Sequence, residues 1–151
     1  EPGDLVVNCT GLGARALTGD SQLQALFGQT VVVEPGGIDL ATDVVDERDH
    51  ARMLYVIPRR GSVVIGGCSV PVADDHSLEP NPAFESEILQ RATTAGFAPG
   101  RVLRSKSGLR PYRTTVRLER DGRIIHNYGH GGAGFTLARG CAEEVAALAK
   151  E

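Results

Sequence analysis

The clearest candidate for chemistry in this sequence is a glycine-rich run, Gly129-His130-Gly131-Gly132-Ala133-Gly134, which precedes a stretch with apolar residues at helical spacing. Glycine lets a backbone approach a ligand closely, and a helix N-terminus offers free N–H groups and a partial positive charge. Such a place suits an anion or a group that gains negative charge during a reaction. A simple mobile turn explains the same composition, so the run alone leaves binding open.

A second glycine pattern, Gly11-Leu12-Gly13-Ala14-Arg15-Ala16, follows a short β-branched run and matches the G-x-G-x-x-A fingerprint of dinucleotide-binding folds. Glu34 ends the next predicted strand, as the fingerprint requires. Two features oppose a pyrophosphate site. Gly19-Asp20 interrupt the helix that should follow, and the polar Asn8-Cys9-Thr10 stand where a buried strand usually runs apolar into the first glycine.

Two side chains are candidates for holding a carboxylate. Arg110 lies in an extended, otherwise apolar stretch, and its planar guanidinium matches a carboxylate with two parallel hydrogen bonds. Tyr55, on a predicted hairpin, carries a hydroxyl at the end of an apolar ring. Structural ion pairing of the arginine and core packing of the tyrosine are the competing explanations, and the residue pattern does not choose between them.

Metal and acyl-transfer chemistry find little support in the sequence. His126 and His130 are four residues apart without a third ligand nearby, and Cys9, Cys68 and Cys141 show no C-x-x-C spacing. No G-x-S-x-G nucleophile elbow occurs. We therefore expect no metal site and no Ser-His-Asp catalysis.

Composition narrows the function classes further. The 151 residues carry 16 basic and 19 acidic side chains, a net charge of −3, with no Lys/Arg-rich run, which argues against nucleic acid as a partner. No apolar stretch is long enough to span a membrane, so we expect a soluble protein without a membrane partner. An odd number of cysteines without a disulfide pattern favours a reducing compartment, and we expect the cytoplasm.

The elements that must position these residues are mostly strands. Apolar runs predict strands over 5–7, 29–34, 53–58, 63–67 and 123–127, and the third and fourth of these form a β-hairpin. Residues 102–118 are predicted as two extended segments, 38–50 as a surface loop or short strand, and 129–134 as a flexible loop.

Three segments have helical signals. Residues 14–27 are predicted as a weak helix that is interrupted at Gly19-Asp20. Asn81 as cap and Pro82 at the first position predict a helix over 83–94, and apolar spacing predicts a terminal helix over 135–150. Because strands outnumber helices and do not alternate strictly with them, the fold class is α+β.

Five blocks of sequence follow one another along nearly the whole chain. They are Val6-Val7-Asn8-Cys9-Thr10-Gly11, Leu54-Tyr55-Val56-Ile57-Pro58, Val64-Ile65-Gly66-Gly67, Gly108-Leu109-Arg110-Pro111 and Ile125-His126-Asn127-Tyr128 with the glycine-rich run. Together they resemble the C-terminal half of FAD-dependent D-amino acid oxidases, and the last block is the most specific. The resemblance implies FAD as cofactor and oxidative deamination of a neutral D-amino acid to the 2-oxo acid, with ammonia and hydrogen peroxide, by hydride transfer to flavin N5.

The resemblance also implies an organisation. Residues 1–28 would end an FAD-binding domain, 29–122 would form a substrate-binding domain with a mixed or antiparallel sheet, and 123–151 would return to the FAD-binding domain as its flavin loop and C-terminal helix. The family's N-terminal FAD-binding half, with its G-x-G-x-x-G loop, has no counterpart in this sequence. We expect that half to be the partner with which the chain is active. The pattern beginning at Gly11 would then belong to the last strand of a Rossmann-like domain.

Carried over residue by residue, the resemblance implies that Arg110 grips the substrate carboxylate, Tyr55 adds a hydroxyl hydrogen bond to it, and the Gly132 carbonyl accepts from the substrate amine. The residues implied to line the flavin are Thr10, Gly11, Gly131, Gly132, Ala133, Gly134, Phe135 and Thr136, with amide groups toward its N1/C2=O edge. No protein group acts as acid or base at the reacting carbon, and O2 reoxidises the flavin.

Two departures concern the substrate. Mammalian-type members carry a second tyrosine on a lid four residues before the first, where this chain has Ala51, and members that prefer acidic substrates carry an arginine where this chain has Cys68-Ser69. We therefore expect a neutral or apolar substrate side chain. A glycine or sarcosine oxidase and a non-catalytic flavoprotein fragment are the alternatives, and a homo-oligomer is compatible with the resemblance.

Overall fold

The computed structural model describes residues 4–49, 52–73 and 75–151. They form two compact units: the first is Glu1–Leu26, Val72–Asp74 and Arg110–Glu151, and the second is Phe27–Pro71 and Asp75–Leu109. The divisions between these units fall at 26/27, 71/72, 74/75 and 109/110. The domain bounds that the resemblance implies, at 28/29 and 122/123, stay a prediction.

The described strands are β1 (Val6–Asn8), β2 (Gln24–Val33), β3 (Val44–Asp46), β4 (Leu54–Arg59), β5 (Ser62–Gly66), β6 (Val70–Val72), β7 (Val102–Asp121) and β8 (Ile124–His130). The described helices are α1 (Ala14–Thr18), α2 (Pro82–Thr94) and α3 (Gly134–Leu148), with a short 3₁₀ turn at Gly11–Gly13. None of these helices combines the length and the apolar character that crossing a bilayer requires.

In the first unit, a mixed sheet carries the strand order β1-β8-β7. β1 runs parallel to β8, and β8 runs antiparallel to β7. A small core of Ala14, Leu23 and Tyr128 fills this unit, and α3 packs against β8. Parallel and antiparallel pairs thus occur together and helices do not alternate with strands, which confirms the predicted α+β class.

In the second unit, antiparallel strands follow the order β2-β5-β4-β3. The predicted hairpin is confirmed, because β4 and β5 pair from Tyr55 opposite Gly66 to Arg59 opposite Ser62. One face of this sheet packs against α2 through a continuous apolar core, in which Val31, Val33, Val56, Val63, Ile65 and Ile88 are fully buried.

Three predicted elements need correction. Residues 24–27 are the start of β2 rather than part of a helix, since Leu23, Ala25 and Phe27 are all buried with a period of two. Residues 102–121 form one strand rather than two segments. Gly129 and His130 complete β8, so the predicted flexible loop shrinks to the turn 131–133.

The N-terminus of α2 is held as the sequence predicts. The Asn81 side chain accepts a hydrogen bond from the Ala83 N–H at 2.8 Å, and Pro82 occupies the first helical turn. The Gln29 side-chain amide, fully buried on β2, bonds both the N–H and the C=O of Asn81, at 2.8 and 3.0 Å. These bonds tie the start of α2 to the sheet.

The cap gives a direct stability prediction. Asn81→Ala removes the side-chain acceptor but leaves the main-chain bonds to Gln29, so the free energy of unfolding should fall by about 1 kcal/mol in denaturant titrations. Asn81→Asp, which can still accept from the Ala83 N–H, is the matched control and should lose only a fraction of that. Equal losses in the two variants would show that the cap is not what stabilises this end of α2.

Candidate functional site

Two of the predicted substrate-binding residues meet where β7 passes the turn after β8. The Gly131 N–H donates to the Pro111 carbonyl at 2.7 Å, and Tyr112 pairs with His130 in the antiparallel ladder. A Cβ built on Gly132 would lie 3.7 Å from both Cδ and Nε of Arg110. The guanidinium stem of Arg110 therefore runs beside the Gly132 backbone.

Glycines at this turn are required by backbone geometry and close packing. Gly129 and Gly131 have φ of +95° and +56°, a region that other L-residues rarely adopt. A Cβ on Gly129 would lie 2.7 Å from Cβ of Arg113, and one on Gly131 would lie 3.2 Å from Cδ2 of Tyr112. The two strands can approach this closely only without those side chains.

The first turn of α3 presents its N–H groups without a side-chain cap. Ala133 occupies the N-cap position and offers no acceptor, and the first turn carries no acidic residue. The first N–H groups of any α-helix lack partners within the helix. Gly132, Ala133 and Thr136 are exposed, and Phe135 is 97% exposed. This helix start is therefore exposed, and it has no capping side chain to occupy its N–H groups.

A series of hydrogen bonds fixes the predicted cofactor residue Thr10, which precedes Gly11. The Asn8 side-chain oxygen accepts from the Thr10 N–H at 3.2 Å and from the Thr10 hydroxyl at 2.7 Å. The Asn8 amide nitrogen donates to Nδ1 of His126 at 3.2 Å, across the parallel β1–β8 pair. Beyond this turn, α1 spans only five residues, so the G-x-G-x-x-A pattern does not open a long helix.

Asn8 and His126 are positioning residues that the sequence analysis did not single out as such. Both are buried, with 8% and 2% exposure. The sequence does contain a signal for each. Asn8 lies two residues before Thr10, which is the spacing of an Asx turn, and His126 lies inside an apolar strand. Burial, followed by the positive charge of Arg117, holds the pKa of His126 below its ordinary value of 6.5.

A cavity of about 290 Å³ lies within the first unit. Its lining residues are Cys9, Gly11, Pro111, Asn127, Tyr128, Gly129, His130, Gly134, Ala138 and Cys141. Of the predicted flavin-lining residues it includes Gly11 and Gly134, while Thr10, Gly131, Gly132, Ala133, Phe135 and Thr136 do not line it. In its wall, Cys141 Sγ lies 3.4 Å from Nε2 of His130.

Tyr55 belongs to the second unit, where its ring packs on the Gly66–Gly67 backbone. A Cβ on Gly66 would overlap the tyrosine ring, and one on Gly67 would lie 2.9 Å from the hydroxyl oxygen. The Gly67 N–H donates to the Met53 carbonyl at 2.8 Å, and its carbonyl accepts from Nη2 of Arg91 at 2.7 Å. Glycine is therefore needed at both positions, because a side chain there would collide with the Tyr55 ring or hydroxyl.

Three further predictions concern Ala51, Cys68 and metal binding. Ala51, where mammalian-type relatives carry the second tyrosine, lies outside the described residues. Cys68 is buried, with 3% exposure. Within the described ranges no group of three His, Cys, Asp or Glu side chains is arranged to hold a metal ion.

Comparison with known proteins identifies the family. The family of FAD dependent oxidoreductases (DAO) matches residues 2–148. The chain belongs to this FAD-dependent oxidoreductase family. It is 46% identical to a D-amino-acid oxidase of Streptomyces coelicolor over 96% of this chain and 47% of the relative. It is 43% identical to a D-amino-acid oxidase of Rubrobacter xylanophilus over 99% and 47%.

Two further proteins show how far the similarity extends. A human D-aspartate oxidase is 36% identical over 98% of this chain and 44% of its own length. The glycine oxidase structure from Geobacillus kaustophilus has a TM-score of 0.77 at 24% identity, covering 97% of this chain and 41% of that one, which shows the fold. The chain spans about half the length of the curated relatives it matches.

The residues of this oxidoreductase chain fit the cofactor of its family, FAD. The uncapped start of α3 offers N–H groups where an electron-rich ring edge would be stabilised. Asn8, itself bonded to His126, holds the turn at Thr10. Gly129 and Gly131 leave the end of β8 and the turn after it without side chains.

Replacing Gly66 should disturb Tyr55. In Gly66→Ala the new methyl group overlaps the tyrosine ring, and overpacking of this kind typically costs about 1–3 kcal/mol of unfolding free energy. Gly108→Ala is the control, since a Cβ there meets nothing within 4 Å and no positive φ restrains it. Unfolding of both variants in denaturant would test this, and equal stability would refute the close packing.

His126 should make stability depend on pH. Because its folded pKa lies below its unfolded one, the unfolded chain binds more protons as the pH falls below about 6.5, and the free energy of unfolding decreases toward acid pH until the folded histidine also titrates. The free energy of unfolding is measured for the wild type and for His126→Gln between pH 7.5 and 5. A wild-type pH slope no steeper than that of the variant would contradict the shift.

Proposed function

We propose that this chain forms the substrate-binding and flavin-facing part of an FAD-dependent oxidase that deaminates a neutral D-amino acid. The single observation that carries the proposal is the placement of Arg110 beside Gly132, next to the uncapped start of α3. A cation for a carboxylate thus adjoins N–H groups suited to an electron-rich ring. Similarity to two D-amino-acid oxidases over almost the entire chain supports the same reaction class.

The proposed reaction takes a D-amino acid, O2 and water to the 2-oxo acid, ammonia and hydrogen peroxide. FAD, when bound, supplies the acceptor for the hydride that leaves the substrate Cα, and O2 regenerates it with release of peroxide. The resulting imino acid then hydrolyses. The residues of this chain contribute by binding and orienting the substrate rather than by acid or base chemistry at Cα.

Each proposed role follows from the chemistry of a group. Arg110 holds the carboxylate with two parallel hydrogen bonds, because its guanidinium matches the spacing of the two oxygens. The Gly132 carbonyl accepts from the substrate amine. Tyr55, in the second unit, keeps its proposed role as a hydroxyl donor to the carboxylate, which rests on the family resemblance alone.

The proposed flavin contacts are backbone groups. Gly131, Gly132, Ala133, Gly134, Phe135 and Thr136 would face the ring edge that gains negative charge on reduction, and Thr10 and Gly11 would lie along the cofactor. The partial positive charge at the start of α3 would favour an electron-rich ring edge there.

A neutral substrate is the proposed preference. Cys68-Ser69 stand where family members that prefer acidic substrates carry an arginine, so neither of these two residues supplies a cation for a second carboxylate. Cys68 is buried in the second unit. The 36% identity to a D-aspartate oxidase is lower than the identity to either D-amino-acid oxidase named above.

We further propose that the chain works with an FAD-binding half like that of its relatives. Among the described strands, β1 stands at the end of the order β1-β8-β7, and Val6 and Val7 on it are 55% and 44% exposed. Phe135 is also exposed. An apolar strand edge of this kind is normally covered, and adding a strand would satisfy its open N–H and C=O groups.

A cytoplasmic location remains a prediction. The thiols of Cys9 and Cys141 are not part of a disulfide.

Peroxide release tests the proposed reaction. The chain together with its FAD-binding half is assayed against neutral D-amino acids, their L-enantiomers, D-aspartate, glycine and sarcosine. The proposal predicts turnover of neutral D-amino acids in excess of all the others. Turnover confined to glycine or sarcosine would support the amine-oxidase alternative, and no turnover with FAD bound would support a non-catalytic flavoprotein.

Arg110→Lys tests the carboxylate clamp. Lysine keeps the charge but loses the two parallel hydrogen bonds, so kcat/KM for a neutral D-amino acid should fall on the order of 100-fold, or about 2.7 kcal/mol. Arg104→Lys, at an exposed position of the same strand, is the control and should retain wild-type kinetics. Unchanged kcat/KM in Arg110→Lys would exclude the clamp.

A further inference from the structure

A buried carboxylate stands at the centre of a hydrogen-bond network in the first unit. The Asp20 side chain is only 5% exposed, and one of its oxygens accepts from Nε of Arg113 and from the Tyr128 hydroxyl, both at 2.9 Å. Its other oxygen accepts from the Gln22 N–H at 3.0 Å. The Tyr128 hydroxyl in turn accepts from Nη1 of Arg117 at 2.9 Å.

This network surrounds the one irregular part of the described β7–β8 ladder. Tyr112 pairs with His130 and Arg117 pairs with Tyr128, so β7 advances from 112 to 117 while β8 moves back only from 130 to 128. The extra residues of β7 are left out of the regular pairing with β8. Side-chain bonds from this segment therefore add to its hold on β8.

The two arginines of the network lie at the bulge and bind it from both ends. Arg113 follows Tyr112 directly, bonds Asp20, and also donates from Nη1 to the Thr115 carbonyl at 2.9 Å. Arg117 ends the bulge and bonds Tyr128, whose own backbone lies on β8. Asp20 is thus joined to one end of the bulge through Arg113 and to the other end through Tyr128 and Arg117.

We propose that Asp20 is a positioning residue that anchors the bulge of β7 through Arg113 and Tyr128 and so fixes Arg110 beside Gly132. The inference rests on the proposed carboxylate-binding role of Arg110. Arg110 lies only three residues before Arg113, which Asp20 binds. Between them, the Pro111 carbonyl accepts a hydrogen bond from the Gly131 N–H. A shift of the bulge would move the guanidinium and the turn relative to one another.

The charge of Asp20 fits this role. Burial alone would raise the pKa of Asp20, but hydrogen bonds from the Gln22 N–H and the Tyr128 hydroxyl, together with Arg113, lower it below the ordinary value. The carboxylate is therefore ionised at neutral pH and neutralises Arg113. A neutral amide of the same shape could not hold the guanidinium of Arg113, whose side chain is 15% exposed, equally well.

The test compares Asp20→Asn with Asp39→Asn in the protein assembled with its FAD-binding half. Asp39 accepts the same kind of turn bond, from the Ala41 N–H at 3.0 Å, but it is exposed and no arginine among the described residues pairs with it. We expect Asp20→Asn to raise KM for a neutral D-amino acid on the order of tenfold to 100-fold. The dissociation constant of benzoate, a carboxylate probe measured calorimetrically, should rise in parallel, with kcat changed much less and FAD content unchanged.

Asp39→Asn should match the wild type in all four quantities. A merely structural role for Asp20 would lower the melting temperature but leave KM and benzoate affinity of the folded enzyme within twofold of wild type, and that result would overturn the proposal. If Asp20→Asn does not fold, Tyr128→Phe, which removes only the hydroxyl, should show a smaller rise in KM and benzoate dissociation constant. Wild-type values in Tyr128→Phe would equally overturn the proposal.

Arg110→Lys in the same assays separates the two proposals. If Arg110→Lys binds benzoate and substrate as the wild type does, the carboxylate clamp itself is wrong. If Arg110→Lys weakens both and Asp20→Asn weakens neither, the clamp stands and only the positioning role of Asp20 fails.

Discussion

The antiparallel pairing of β7 with β8, with its bulge between Tyr112 and Arg117, is the constraint on which the first unit depends. It brings the Pro111 carbonyl against the Gly131 N–H and runs the Arg110 stem beside Gly132. Because the backbones approach so closely, Gly129 cannot carry a side chain. The glycine-rich sequence is therefore explained by packing first, and the exposed start of α3 follows from the turn that this packing produces.

Positioning in both units is achieved by polar groups that bind backbone. In the first unit, Asn8 caps the turn at Thr10 and is itself held by His126. In the second, Arg91 reaches from α2 to the Gly67 carbonyl beneath the Tyr55 ring. Apolar cores supply the scaffold of each unit, while these bonds set the local conformation at residues with proposed roles. A substitution there would alter geometry more than it alters core packing.

Sequence reasoning succeeded where the signal was local. The hairpin of β4 and β5 and the Asn81 cap follow from β-branched runs, a two-residue turn and capping chemistry, all within a few residues. It failed at residues 24–27, because the alternating burial of Ala25 and Phe27 is imposed by tertiary packing and competes with a weak helical pattern. It also failed at Gly129, where strand pairing extends into a run whose composition favours a loop.

The candidate site shows the same division. Arg110 and the glycine run could be singled out by residue type, and the family resemblance gave them roles. Asp20 was noted only as a helix interruption, because nothing near it in the sequence shows that Arg113 and Tyr128, about 100 residues away, would meet its carboxylate. Contacts of that sequence separation are created by the fold and leave no local signature.

We propose that this chain places the carboxylate of a neutral D-amino acid at Arg110 beside an FAD ring. The most direct measurement is the anaerobic absorption spectrum of the chain assembled with its FAD-binding half, recorded before and after addition of a neutral D-amino acid. We predict oxidised-flavin bands that bleach with the D-enantiomer, do not bleach with the L-enantiomer, and bleach only at far higher substrate concentration in Arg110→Lys. Flavin bands that persist with every D-amino acid, or that bleach equally in Arg110→Lys, would contradict the account.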